Sequence, residues 1–128
     1  MSSQIDESKI NSPSHYNIEG ELETIEKMEQ YMTEDELISW CEGCIFTYID
    51  RAKYKNGLED LHKALWHVNY GLQYPQTNNN FNYYFRHNFD HPPDYNLLKW
   101  QIFHYLKEWD FVSVKVILDY MIDYYDDL

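Results

Sequence analysis

The stretch TEDELISWCEGCIFTYIDRAK, residues 33–53, decides the fold. Thr33 followed three residues later by Glu36 is a capping box, the pattern that satisfies free N–H groups at a helix start. Leu37, Ile38, Cys41, Ile45, Tyr48, Ile49 and Ala52 then recur three and four positions apart. That spacing predicts one apolar stripe on a helix running to about Lys53. Asn56-Gly57 breaks the pattern, and Leu58, Leu61, Leu65, Val68 and Leu72 restart it as a further helix. Upstream, Leu22, Ile25, Met28 and Met32 give a shorter helix over 21–32.

Beyond Leu72 the composition changes. Tyr74-Pro75, the run Asn78-Asn79-Asn80 and His91-Pro92-Pro93 are breakers, yet Phe81, Tyr83, Tyr84, Phe85 and Phe89 are too aromatic for a solvated linker. The reading is a packed or partner-binding loop over 73–94, with Tyr83, Tyr84, Phe85 and Phe89 as its partner-binding residues. Asp94 caps a fourth helix carrying Leu97, Leu98, Ile102, Tyr105, Leu106 and Trp109. Asp110 caps a fifth carrying Val112, Val116, Ile117, Tyr120, Met121 and Tyr124. The β-branched residues there leave a strand open, but spacing over four turns favours helix.

The expected fold is therefore all-α: a small bundle of about five helices with a long aromatic loop between the third and fourth. Residues 1–14 form a flexible arm and 15–128 one domain, divided into a three-helix part (15–72), the loop (73–94) and a helical pair (95–128). Its core is drawn from Leu37, Ile38, Ile45, Ile49, Leu61, Leu65, Val68, Ile102, Leu106 and Ile117.

Composition bounds the partners. With 22 acidic against 10 basic residues the net charge is −12, so direct binding to nucleic-acid backbones or anionic membranes is not expected. The basic surface of another protein is the fitting macromolecular partner, and the 13 tyrosines suit half-buried surfaces and interfaces, including self-association. No segment reaches the roughly 18 apolar residues of a membrane span, and the polar N-terminus does not read as a signal peptide. The expected location is the cytoplasm, with Cys41 and Cys44 reduced and packed rather than redox-active or zinc-bound. His87 and His91, with Asp90 between them, lack the further ligands of a metal site.

The few basic residues gather between two helices. Arg51, Lys53 and Lys55 fall just ahead of the helix starting near Leu58, and Lys63 lies inside it. A helix N-terminus with such a focus of positive charge is a candidate phosphate site. Arg51 would clamp phosphate oxygens, Lys53, Lys55 and Lys63 would supply charge, and Glu59 with Asp60 would hold magnesium. His15 and Tyr16 would close over a base or sugar. Glu59 and Lys63 also read as an ordinary i,i+4 pair, and acids are favoured in a first turn. No G-x-x-x-x-G-K-[ST], G-x-G-x-x-G or G-x-S-x-G pattern is present.

The segment WCEGCIFTYIDRAKYKNGLEDLHKALW, residues 40–66, preceded by Asn11-Ser12-Pro13-Ser14-His15-Tyr16, resembles the SaV-like family of small bacteriophage proteins. Its carriers are the Pro-Ser-His-Tyr start, the Tyr-x-x-Arg-Ala-x-x-Lys core and the Glu-Asp-Leu-x-Lys-Ala-x-Trp ending, over residues 9–72. Members are associated with nucleotide kinase activity, and one relative is a nucleoside monophosphate kinase without a P-loop. The resemblance thus implies binding of a (deoxy)nucleoside monophosphate in the host-cell cytoplasm, with ATP and magnesium if the protein is catalytic and Arg51, Lys55 and Asp60 as catalytic residues. Gly43-Cys44 and Thr47-Tyr48 stand where members commonly have Gly-Asn and Lys-Tyr. Two alternatives accompany this departure: an acidic, non-catalytic protein that binds and inhibits a host or anti-phage defence protein, and a nucleotide-sequestering module.

Overall fold

A computed structural model describes residues 23–75 and 93–128. Five α-helices run in order: α1 (Thr24–Tyr31), α2 (Glu34–Arg51), α3 (Leu58–Gly71), α4 (Tyr95–Lys107) and α5 (Phe111–Asp123). Short 3-10 turns follow α2 (Ala52–Tyr54) and α5 (Tyr125–Asp127). No strand occurs among the described residues, so the all-α expectation holds.

The capping signals work as chemistry requires. Thr33 Oγ1 accepts from the Glu36 N–H at 3.2 Å, and Glu36 Oε1 accepts from the Thr33 N–H at 2.8 Å. Asp94 accepts from the Leu97 N–H and starts α4. Asp110 starts α5, accepting from both the backbone and the hydroxyl of Ser113 while fully buried. By contrast α1 has no side-chain cap and buries no residue. It rests on the bundle through Glu29, whose carboxylate accepts from the Tyr70 hydroxyl at 2.7 Å.

Four helices share one core. Cys41, Ile45 and Ile49 of α2 meet Leu61, Ala64 and Val68 of α3, Leu98, Ile102 and Leu106 of α4, and Phe111, Val114, Ile117, Leu118 and Met121 of α5. Each such side chain contributes about 1.5–3 kcal/mol on leaving water. Of the predicted core, Leu65 is half-buried and packs against this cluster from outside, while the others are buried. In α5 the buried face is Phe111, Val114, Ile117, Leu118 and Met121, whereas Val112 and Tyr124 are exposed. Apolar residues surround most of this helix, so spacing alone cannot choose its inward face; Asp110, buried as the cap, sets the rotation.

The α4–α5 turn places Trp109 at φ 57°, in the left-handed region. A bulky side chain is strained there. Its indole N–H donates to Glu42 Oε1 of α2 at 3.0 Å, and its backbone N–H to Leu106 O. Those bonds and the half-buried packing of the ring hold the conformation. The same contact orients α4 against α2: Glu42 meets Trp109, Phe46 stacks on Phe103, and Asp50 pairs with Lys99, so the two helices run antiparallel.

Candidate functional site

The basic cluster is compact in sequence and divided in space. Arg51 ends α2, whereas Lys53 lies two residues on in the 3-10 turn and faces another side of the corner. Lys53 Nζ lies 5.6 Å from the Tyr95 ring centroid and 5.1 Å from that of Tyr125, and donates to the Leu128 carbonyl at 2.8 Å. Lys55 is exposed in the turn. Lys63 belongs with Arg51: the Arg51 guanidinium carbon is 4.9 Å from the Tyr48 ring centroid, and Lys63 Nζ is 5.9 Å from the same centroid.

Asp60 organises this corner. Its carboxylate is fully buried and accepts from Arg51 Nε and Nη2, each at 3.2 Å, in a bidentate fork. It also accepts from the backbone N–H of Asn56 at 3.3 Å and from its side-chain amide at 3.4 Å. Asp60 is the third residue of α3, so it reaches back over the turn as the acid of a capping box does. Gly57 makes that turn possible, at φ 57°. The bond to Asp60, with its nearby charge, keeps the Arg51 guanidinium charged and raises its pKa against the opposing effect of desolvation.

This arrangement bears on magnesium. Both oxygens of Asp60 are engaged by Arg51 and Asn56, and Glu59 pairs with Lys63 at 3.9 Å. No group of three or more His, Cys, Asp or Glu residues able to hold a metal occurs among the described residues. Glu59 and Asp60 do not fit a magnesium site.

Beside Tyr48 lies a residue that the sequence reading left unused. His67 is largely buried, 5.7 Å from Tyr48, 5.1 Å from Trp40 and 4.9 Å from Trp66 by ring centroids. Its Nδ1 lies 2.7 Å from Lys63 O, which makes Nδ1 the protonated nitrogen of the neutral ring. Burial lowers its pKa, opposed by the bond to Lys63 O. The signal for His67 was its position four residues after Lys63, on the same face of α3. The sequence marks Asn56 as a breaker, and its role as partner to Asp60 follows from the turn geometry.

Cys41 is buried and Cys44 half-buried, both free thiols. Desolvation, with the charge of Cys44 second, pushes the Cys41 thiol up to about 12, and burial also raises Cys44. These are packing cysteines without thiolate character. The sequence-predicted His15 and Tyr16, the aromatic loop residues Tyr83, Tyr84, Phe85 and Phe89, and the His87–His91 pair lie outside the described residues.

Against known proteins, one comparison returns a match. Residues 10–69 match a family described as a protein of unknown function, DUF3310. The DUF3310 segment takes in α1, α2 and most of α3, and so contains Tyr48, Arg51, Asn56, Asp60, Lys63 and His67. It covers nearly the same residues as the SaV-like resemblance. No curated protein and no solved structure matches the chain.

Proposed function

We propose that the α2–α3 corner binds the phosphate of a (deoxy)nucleoside monophosphate, and that the protein serves phage nucleotide metabolism as a kinase-like protein without a P-loop, the role that the SaV-like resemblance implies. The observation that supports this reading is the approach of two cations, Arg51 and Lys63, to the one ring of Tyr48. Asp60 occupies Nε and one N–H of Nη2 of Arg51 and fixes the plane of the guanidinium. The remaining N–H groups serve an anion without further ordering of the side chain, which lowers the entropic cost of binding. Lys63 adds a point charge, paired with Glu59 at the loose distance of 3.9 Å. Tyr48 adds an aromatic wall against which a base or sugar can lie. In this reading Asp60 is a positioning residue and not a proton acceptor.

Isothermal titration of deoxynucleoside monophosphates tests the reading. Arg51→Ala would also strip a buried carboxylate of its partner, so Lys63→Ala is the cleaner probe. Its affinity should fall on the order of tenfold, while Lys115→Ala on α5 should bind as wild type does. No heat of binding at millimolar nucleotide, or equal binding by Lys63→Ala, removes the reading.

One observation favours a second reading, an acidic, non-catalytic protein that inhibits a basic host or defence protein. Three of the four cations in the cluster already have partners within the chain. Absence of nucleotide binding together with stoichiometric capture of one basic protein would decide for it.

A further inference from the structure

The outer surface shared by α2 and α4 differs from the other surfaces of the described residues. Among the described α-helices α4 alone carries no acid; it has Lys99, His104 and Lys107. α2 carries five acids against Arg51. Between the two runs an aromatic ridge: Trp100, 62% exposed, meets Phe103 edge-on at 5.5 Å, and Phe103 stacks at 4.0 Å on Phe46, itself 46% exposed. Beside Phe46 on the outer stripe of α2 lies Gly43, and a Cβ placed there would meet nothing within 4 Å. A glycine inside a helix is destabilising relative to alanine. Packing among the described residues gives no reason for it.

We propose that this face is an isologous interface, and that its occupant is a second copy of this chain. The charge pattern is self-complementary. Because α2 and α4 run antiparallel, a two-fold axis along the ridge lays α2 of one copy over α4 of the other with matching ends. The Asp35 end of α2 then meets the partner copy's α4 at the Lys107 end, and the Asp50 end meets it at the Lys99 end, twice over by symmetry. The ridge supplies a desolvated aromatic centre, and the charged ends set register. Gly43 admits the partner's side chains close to the α2 backbone. A chain of net charge −12 repels its copy at long range. That repulsion is screened beyond about 8 Å at physiological salt, and the two helices of the face together carry five acids against three Lys and Arg residues.

Sedimentation velocity over a concentration series tests the proposal on the full chain. Wild type should be a dimer that weakens below physiological salt as the net repulsion is unscreened. Gly43→Leu should weaken dimerisation on the order of tenfold or more with an unchanged or higher melting temperature at a concentration where the wild type is monomeric, since an added Cβ meets nothing within 4 Å and leucine favours helix. Trp100→Ala should weaken it comparably. Asp35→Lys alone should weaken it, and Asp35→Lys with Lys107→Glu should restore it. A wild type that stays monomeric at all concentrations overturns the proposal, and so does a dimer insensitive to Gly43→Leu and Trp100→Ala. A double charge swap no better than the single one overturns the two-fold arrangement. None of these variants touches Arg51 or Lys63, so nucleotide titration of the same proteins stands or falls separately.

Discussion

Arg51 and Asp60 face each other across the α2–α3 corner with two parallel N–H···O bonds of 3.2 Å, one partner a third exposed and the other fully buried. The asymmetry sets what each contributes. Water can rehydrate Arg51 if Asp60 is removed, whereas Asp60 loses its only cation among the described residues and keeps just the two Asn56 donors if Arg51 is removed.

Arg51→Ala should therefore cost about 3 kcal/mol or more of stability, because it leaves an uncompensated buried carboxylate. Asp60→Ala should cost somewhat less, about 2 kcal/mol, through the unsatisfied N–H of Asn56 and the lost fork. Lys63→Ala, which breaks a loose i,i+4 pair, should stay within about 0.5 kcal/mol. Urea unfolding midpoints with unchanged slopes measure all three. Equal losses for Arg51→Ala and Lys63→Ala would show that the fork holds nothing together.

His67 makes stability depend on pH in a definite direction. Burial holds its folded-state pKa below the ordinary 6.5, against the raising effect of the bond to Lys63 O. The unfolded chain then binds the proton more readily, so stability rises with pH through this window. The contribution is complete above about 6.5 and is lost as pH falls below it towards the folded value. Replacing His67 with Gln should flatten the slope of unfolding free energy between pH 7 and the onset of carboxylate titration. A slope unchanged by His67→Gln would assign the dependence to other groups.

Much of the fold could be read from the chain because its signals are local. The Thr33–Glu36 box, the Asp94 and Asp110 caps and the Asn56-Gly57 break each depend on residues a few positions apart, and each sits where the pattern places it. What could not be read is long-range. The separation of Lys53 from Arg51 depends on Tyr95 and Tyr125, which arrive from distant parts of the sequence. The engagement of Asp60 by Arg51 spans nine positions and a turn, and an acid in a first turn carries no mark of whether it points in or out. In α5 the apolar residues outnumber one face, so the expected stripe of Val112, Val116, Ile117, Tyr120, Met121 and Tyr124 shares Ile117 and Met121 with the buried face but leaves out Phe111, Val114 and Leu118.

The thiols offer a direct test of burial. With Cys41 pushed up to about 12 by desolvation and Cys44 raised for the same reason, neither presents appreciable thiolate at neutral pH. In the native protein Cys41 should resist a thiol-labelling reagent for as long as the fold persists, and Cys44 should react slowly. Both should label at once in denaturant. Rapid native labelling of Cys41 would mean that α2 opens locally, and formation of a disulfide between the two would overturn the packing role.

Two helical glycines should respond to alanine with opposite signs. At Gly71 a Cβ would meet the Phe111 ring at 3.0–3.1 Å, and Phe111 is buried where α5 packs on α3, with no room to retreat. Gly71→Ala should destabilise by about 1–2 kcal/mol, the overpacking cost exceeding the gain in helix propensity at a last-turn position. At Gly43 the Cβ meets nothing, so Gly43→Ala should stabilise the monomer by about 0.5–1 kcal/mol through the reduced entropy of the unfolded chain. Thermal unfolding at low protein concentration, where association does not contribute, measures both. A destabilised Gly43→Ala monomer would mean that its backbone departs from helical geometry in solution, and an unaffected Gly71→Ala would mean that α5 sits further from α3 than the Phe111 contact requires.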